Sequence, residues 1–190
     1  MKNKKSVVLI VIIFVIVLGG ATVLYNKFSK TIGQNENIAE QKNEKENTKK
    51  SVKAPDFTVL NQKENEVHFD DLKGKPIILN FWASWCGPCQ SEMPDFEEAY
   101  EKYGNDITFM MINMTDGSRE TIESAKACIE DAGYTFPVYY DTTYSAASVY
   151  GVTSLPTTYF IDKEGNIIAN GAGALSADSL QQGIELITSD

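Results

Sequence analysis

From Pro55 onward the apolar positions fall into short blocks with different periods. PDFTVL (55–60) and EVHF (66–69) flank a polar turn and predict two short strands. PIILNFW (76–82) is almost continuously apolar, which predicts a central strand buried on both faces. Residues 87–103 follow as a helix, and ITFMMINM (107–114) predicts another buried strand. SRETIESAKACIEDAG (118–133) has an amphipathic helical period that stops at Gly133. FPVYYD (136–141) predicts a strand and TYSAASVY (143–150) a short helix. TTYFID (157–162) and IIAN (167–170) predict an antiparallel hairpin about Lys163-Glu164-Gly165-Asn166, and ADSLQQGIELI (177–187) predicts a closing helix. Strands that alternate with helices and end in a hairpin predict an α/β fold with a mixed central sheet flanked by helices.

The pattern ahead of Pro55 is different. Val7 to Leu24 is an uncharged run of 18 residues behind Lys2, Lys4 and Lys5. About 20 apolar residues span a bilayer, and flanking lysines stay on the cytoplasmic side. Residues 1–25 are therefore expected to be a retained transmembrane anchor. A cleaved signal peptide is the competing reading, because the strongest apolar stretch, Val7 to Leu18, is short. Residues 26–54 are rich in Lys, Glu, Asn and Gln. They bury too little apolar surface to offset ordering entropy, so a disordered polar tether is expected. Residues 55–190 form the expected domain.

Charge sharpens the division. Residues 1–54 carry 10 Lys and 4 Glu, whereas residues 55–190 carry 6 Lys and 1 Arg against 22 acidic residues, a net −15. Such a domain should repel nucleic acid.

Cys86 and Cys89 form a Cys-x-x-Cys between a predicted buried strand and a predicted helix. Free N–H groups and the helix dipole at that position favour a thiolate on Cys86. Pro88 fits the first turn, where its missing N–H leaves no partner unsatisfied. Cys86 is expected to be the exposed nucleophile and Cys89, one turn deeper, the resolving thiol. A structural disulfide would close too short a loop to stabilise much. Zinc would need four ligands, and only Cys128 and His68 remain, so no metal is expected. Cys128 borders the apolar stripe of Ile122, Ala125, Ile129 and Ala132 and is expected to be half-buried. His68 is expected to face solvent, and Met110, Met111 and Met114 to belong to the core.

WCGPC, within DDLKGKPIILNFWASWCGPCQSEMP (70–94), together with YGVTSLPTTYFIDKEGNI (150–167), resembles the membrane-anchored thioredoxin-like family that includes ResA and TlpA. The resemblance implies a thioredoxin fold with an N-terminal strand extension and a central insertion. It also implies an extracytoplasmic protein-disulfide reductase without a cofactor. Within the family, one task is reduction of the haem-attachment cysteines of apocytochromes c. ResA-like members often carry an acidic residue where this chain has Gly87. Pro156 resembles the cis-proline facing the dithiol, and the Leu155 backbone would pair with an extended substrate strand. Trp85, Gly87 and Pro88 would complete the substrate-binding surface. Implied partners are exported proteins with disulfides and a membrane-embedded electron donor of the CcdA/DsbD type. The chain is expected to be monomeric. A disulfide oxidase or isomerase is the alternative. A peroxidase is less favoured because no Thr-x-x-Cys precedes the site. A copper module of the Sco type is less favoured because no histidine lies downstream.

Glu92 breaks the pattern. On a helical wheel Cys89, Met93, Phe96, Ala99, Tyr100 and Tyr103 share one face, and Glu92 falls inside it. Asn80 stands where thioredoxins carry a buried aspartate, and the resemblance puts a buried glutamate at Glu92 instead. Glu92 is expected to exchange protons with the dithiol, with a pKa raised by burial.

Overall fold

The computed structural model describes residues 52–189. The anchor and nearly all of the tether expected from the sequence lie outside the described residues. Among the described residues eight strands form one sheet: β1 (Val52–Lys53), β2 (Thr58–Asn61), β3 (Glu66–His68), β4 (Ile77–Trp82), β5 (Thr108–Asn113), β6 (Val138–Tyr140), β7 (Thr157–Ile161) and β8 (Asn166–Ala172). The helices are α1 (Gly87–Tyr103), α2 (Ile122–Ala132), α3 (Ser145–Val149) and α4 (Ala177–Thr188). The sheet order is β1-β8-β7-β4-β5-β6-β2-β3, with β4, β5 and β6 parallel and the other pairings antiparallel. This is the thioredoxin-like α/β arrangement with a mixed sheet. The sheet takes in residues ahead of the expected boundary at Pro55. Val52 and Lys53 pair with Ile167 and Asn166, and Ala54 is buried.

All six residues of β4 are buried. Their alternation assigns each to one of two cores. Ile77, Leu79 and Phe81 pack with Met110, Ile112, Phe69 and Tyr150 on one side of the sheet. Ile78 and Trp82 pack with Phe96, Phe109, Phe160 and Ile184 on the other, beneath α1 and α4. Full burial of such side chains stabilises by about 1.5–3 kcal/mol each. By the same alternation Asn80 shares the face of Ile78 and Trp82, and Asn113 that of Phe109 and Met111. Both are polar, and both are buried beneath the helical layer. Cys128 is half-buried, His68 is exposed, Met110 and Met111 are buried, and Met114 is intermediate.

One predicted helix starts late. Residues 118–121 lie outside α2, which begins at Ile122. Thr121 caps it: its hydroxyl accepts the Ser124 N–H at 3.1 Å, and the Ser124 hydroxyl accepts the Thr121 N–H at 2.9 Å. This reciprocal capping box fixes the helix start and leaves 118–120 in a loop.

Candidate active site

Cys86 caps α1 from the end of the β4–α1 connection and is disulfide-bonded to Cys89. The Cys89 N–H donates to the Cys86 sulfur at 3.2 Å, so the sulfur occupies the anion-favouring position at a helix start. Cys86 is 5% exposed and Cys89 0%. The expected exposed nucleophile is therefore corrected. In this disulfide form Cys86 lies against the helix start and only a small part of it reaches solvent. Gly87 and Pro88 are exposed on the first turn. Trp85 is 44% exposed, with the Arg119 guanidinium 3.7 Å above its ring.

Glu92 lies one turn beyond Cys89 on α1 and is 2% exposed. Its Oε1 accepts the Asn80 Nδ2–H at 2.8 Å, and its Oε2 accepts the Leu175 backbone N–H at 2.7 Å. Asn80 also donates to the Thr158 hydroxyl at 3.0 Å, its direct cross-strand partner on β7. Burial raises the pKa of Glu92 to about 7, against the opposing pull of the Leu175 and Asn80 donors. A carboxyl group at that value can give or take a proton near neutral pH.

The Leu155–Pro156 peptide bond is cis. Leu155 packs against the core that holds both cysteines. Among the described residues no hydrogen bond engages the Leu155 N–H or carbonyl. The Pro156 carbonyl accepts the Gly173 N–H at 2.9 Å. A single short loop, 173–175, thus holds Pro156 through Gly173 and Glu92 through Leu175.

Two features escaped the sequence reading. Glu120 is 0% exposed and grips the reactive loop: its Oε1 accepts the Ser84 N–H at 2.9 Å and the Asn113 Nδ2–H at 2.6 Å. Its Oε2 accepts the Ser84 hydroxyl at 2.6 Å. The Thr121-x-x-Ser124 capping signal could have placed Glu120 ahead of the helix. Asp141 is also 0% exposed, and its Oδ2 accepts the Ala147 N–H at 2.8 Å, tying β6 to α3.

Residues 51–170 match the AhpC/TSA family. The thiol-disulfide oxidoreductase ResA of Bacillus thuringiensis (strain Al Hakam) is 32% identical over 187 residues, 97% of this chain and 99% of that protein. A thiol:disulfide interchange protein of the thioredoxin family from Chlorobium tepidum TLS superposes with a TM-score of 0.64 at 27% identity, covering 74% of this chain and 99% of that one. The exposed lipoprotein thioredoxin Etrx1 of Streptococcus pneumoniae strain TIGR4 superposes with a TM-score of 0.58 at 32% identity, covering 70% of this chain and all of that one (100%).

Proposed function

Because this chain belongs to the AhpC/TSA family and is a thiol–disulfide oxidoreductase of the ResA type, we propose that it reduces disulfides in exported proteins. The observation that carries the reading is the Cys86–Cys89 pair at the start of α1 with buried Glu92 one turn on. In the reduced chain the Cys86 thiolate attacks one sulfur of a substrate disulfide. That S–S bond breaks, a mixed disulfide forms, and the leaving substrate thiolate takes a proton from water. Cys89 then gives its proton to the Glu92 carboxylate and attacks the Cys86 sulfur. The second substrate thiolate leaves and is protonated, and two electrons have passed to the substrate.

Cys86 and Cys89 act as nucleophile and resolving thiol, and Glu92 carries the proton. Trp85, Gly87, Pro88, Leu155 and Pro156 form the substrate surface. The free Leu155 N–H and carbonyl suit an added extended strand.

The 18-residue uncharged run behind three lysines supports a retained membrane anchor with the domain outside the cytoplasm. The thiols are then recharged by a dithiol carrier within the membrane. Apocytochrome c haem-site cysteines are a candidate substrate. The test traps substrates on the full-length Cys89→Ser chain in its own membranes, with protein mass spectrometry of the Cys86 adducts. Exported proteins linked through Cys86 are expected, with the domain accessible to external protease. Adducts with cytoplasmic proteins alone, or peroxide turnover faster than disulfide turnover, would overturn the reading.

A further inference from the structure

Arg119 is the only arginine in the chain, in a domain of net charge −15 over residues 55–190. Its guanidinium carbon lies 3.7 Å from the centroid of the Trp85 ring, and Trp85 immediately precedes Cys86. Both side chains are exposed. Stacking uses the flat face of a guanidinium and leaves the N–H donors at its edge available. Among the described residues no carboxylate lies within ion-pair distance of Arg119.

The loop beneath holds this arginine in place. The Asp116 carboxylate accepts the Ser118 N–H at 2.7 Å and the Glu120 N–H at 3.0 Å. The Gly117 N–H reaches the Glu120 carbonyl at 2.9 Å, and Gly117 has a φ of +73°, which side chains resist. Asp116 is thus engaged by the backbone donors of Glu120 and Ser118, which, with a smaller pull from the Arg119 charge beyond ion-pair distance, hold its carboxyl below the ordinary range. Glu120 turns inward onto Ser84 while Arg119 turns outward onto Trp85. Adjacent side chains of one loop grip the two residues before Cys86.

We infer that Arg119, seated on Trp85, is a specificity-determining residue that selects polypeptide disulfides with a carboxylate side chain beside the cysteine attacked by Cys86. The inference rests on the exchange reading above. A guanidinium edge matches a carboxylate in geometry as well as charge. The acidic surface elsewhere disfavours acidic chains, so the single cation at the reactive loop marks where an acidic segment is received. A lysine at the same substrate position meets like charge.

The test uses the full-length Cys89→Ser chain, reduced and offered an equimolar mixture of three disulfide peptides. These differ only in a Glu, Gln or Lys beside the target cysteine. Cys86 adducts are counted by intact-mass spectrometry at early times, at low salt and at about 0.5 M salt. Total adduct reports exchange, and its division among the peptides reports selection. The Glu adduct should exceed the Lys adduct about fivefold at low salt, the scale of an exposed ion pair, with Gln between. Added salt should bring the ratio toward one. Adding Arg119→Gln should bring it to one or below, and Arg119→Lys, which keeps charge without the flat stack, should fall between. A merely structural arginine would change total adduct and leave the ratio alone. A ratio near one in the parent chain, or one unmoved by Arg119→Gln, overturns the inference while exchange stands. No adduct with any of the three peptides overturns the exchange reading and the inference with it.

Discussion

Asn80 on β4 donates its Nδ2–H to Glu92 Oε1 on α1 across 2.8 Å of buried space. The bond joins the central strand to the helix that carries both cysteines. Two donors favour the Glu92 carboxylate and burial disfavours it, and burial prevails. The outcome is a carboxyl group able to hold or release its proton near neutral pH.

Glu92→Gln should separate proton transfer from packing. Resolution of the mixed disulfide should slow about 10²- to 10⁴-fold, the usual worth of general acid–base help. The pH–rate limb near 7 should disappear; superimposable profiles would assign Glu92 to packing alone. Stability carries the same signature. The folded pKa of about 7 lies above the ordinary 4.5, so the folded chain binds the proton more tightly. The stabilising contribution is complete below about pH 4.5 and is lost as pH rises through about 7. Between pH 5 and pH 8, urea titrations should show wild type losing about 2–3 kcal/mol more than Glu92→Gln.

Asn80→Asp should replace a donor with a second carboxyl group facing Glu92. Two carboxylates at hydrogen-bond distance cannot both ionise near neutral pH, so the pair should share one proton. The pH–rate limb should move up by more than about one unit. The variant should be most destabilised at pH 8 and least at pH 5. An unmoved limb would mean that Asn80 does not govern the Glu92 proton.

Most elements, and the dithiol at a helix start, could be read from the sequence because each rests on a local signal. PIILNFW is too apolar to be anything but buried, and Cys-Gly-Pro-Cys puts proline in a first helical turn. Glu92 was legible for the opposite reason: a carboxylate stood on an apolar face. Glu120 was not legible, because its partners, Ser84 and Asn113, lie 36 and 7 residues away and no periodicity points to them. The apolar period of α2 also ran back through Ser118, which itself resembles a cap. The competing Thr121–Ser124 box prevailed. The Arg119–Trp85 contact depends on the same loop and was hidden with it.

The redox couple should sit at the reducing end of the range for this fold. A helix start favours the Cys86 thiolate, and so the reduced form. Burial of both sulfurs, 5% and 0% exposed, opposes charge there. Glutathione or dithiothreitol titration should give a midpoint near about −270 to −230 mV. A midpoint near about −120 mV would mark an oxidase.

Gly183 on α4 tests the packing of helix against sheet. A Cβ there would collide with the Phe160 ring, and Phe160 is fully buried on β7. Gly183→Ala should cost about 1–3 kcal/mol through overpacking, although alanine is the better helix former. Urea midpoints decide it: an unchanged or higher midpoint would mean that the ring moves aside freely.

Glu120 should prove a positioning residue for the reactive loop. Among the described residues its carboxylate is the only hydrogen-bond partner of both the Ser84 N–H and the Ser84 hydroxyl, and it also binds Asn113. Glu120→Ala leaves the fully buried Asn113 amide without this partner, at about 1–3 kcal/mol, and the half-buried Ser84 donors at less, because water reaches them in part. The loss should concentrate where the contacts were. Amide exchange at Ser84, Trp85 and Cys86 should accelerate far more than at Leu79 or Met111. Glu120→Gln keeps an oxygen for the Ser84 N–H and an amide that can donate to its hydroxyl, so it should restore most of that protection. Disulfide exchange should follow the same order, wild type above Gln above Ala. If Glu120→Ala destabilised the core strands as much as the loop, Glu120 would be a general stabilising contact. If Gln failed to restore protection while the fold held, the negative charge rather than the reach of the side chain would be holding Ser84.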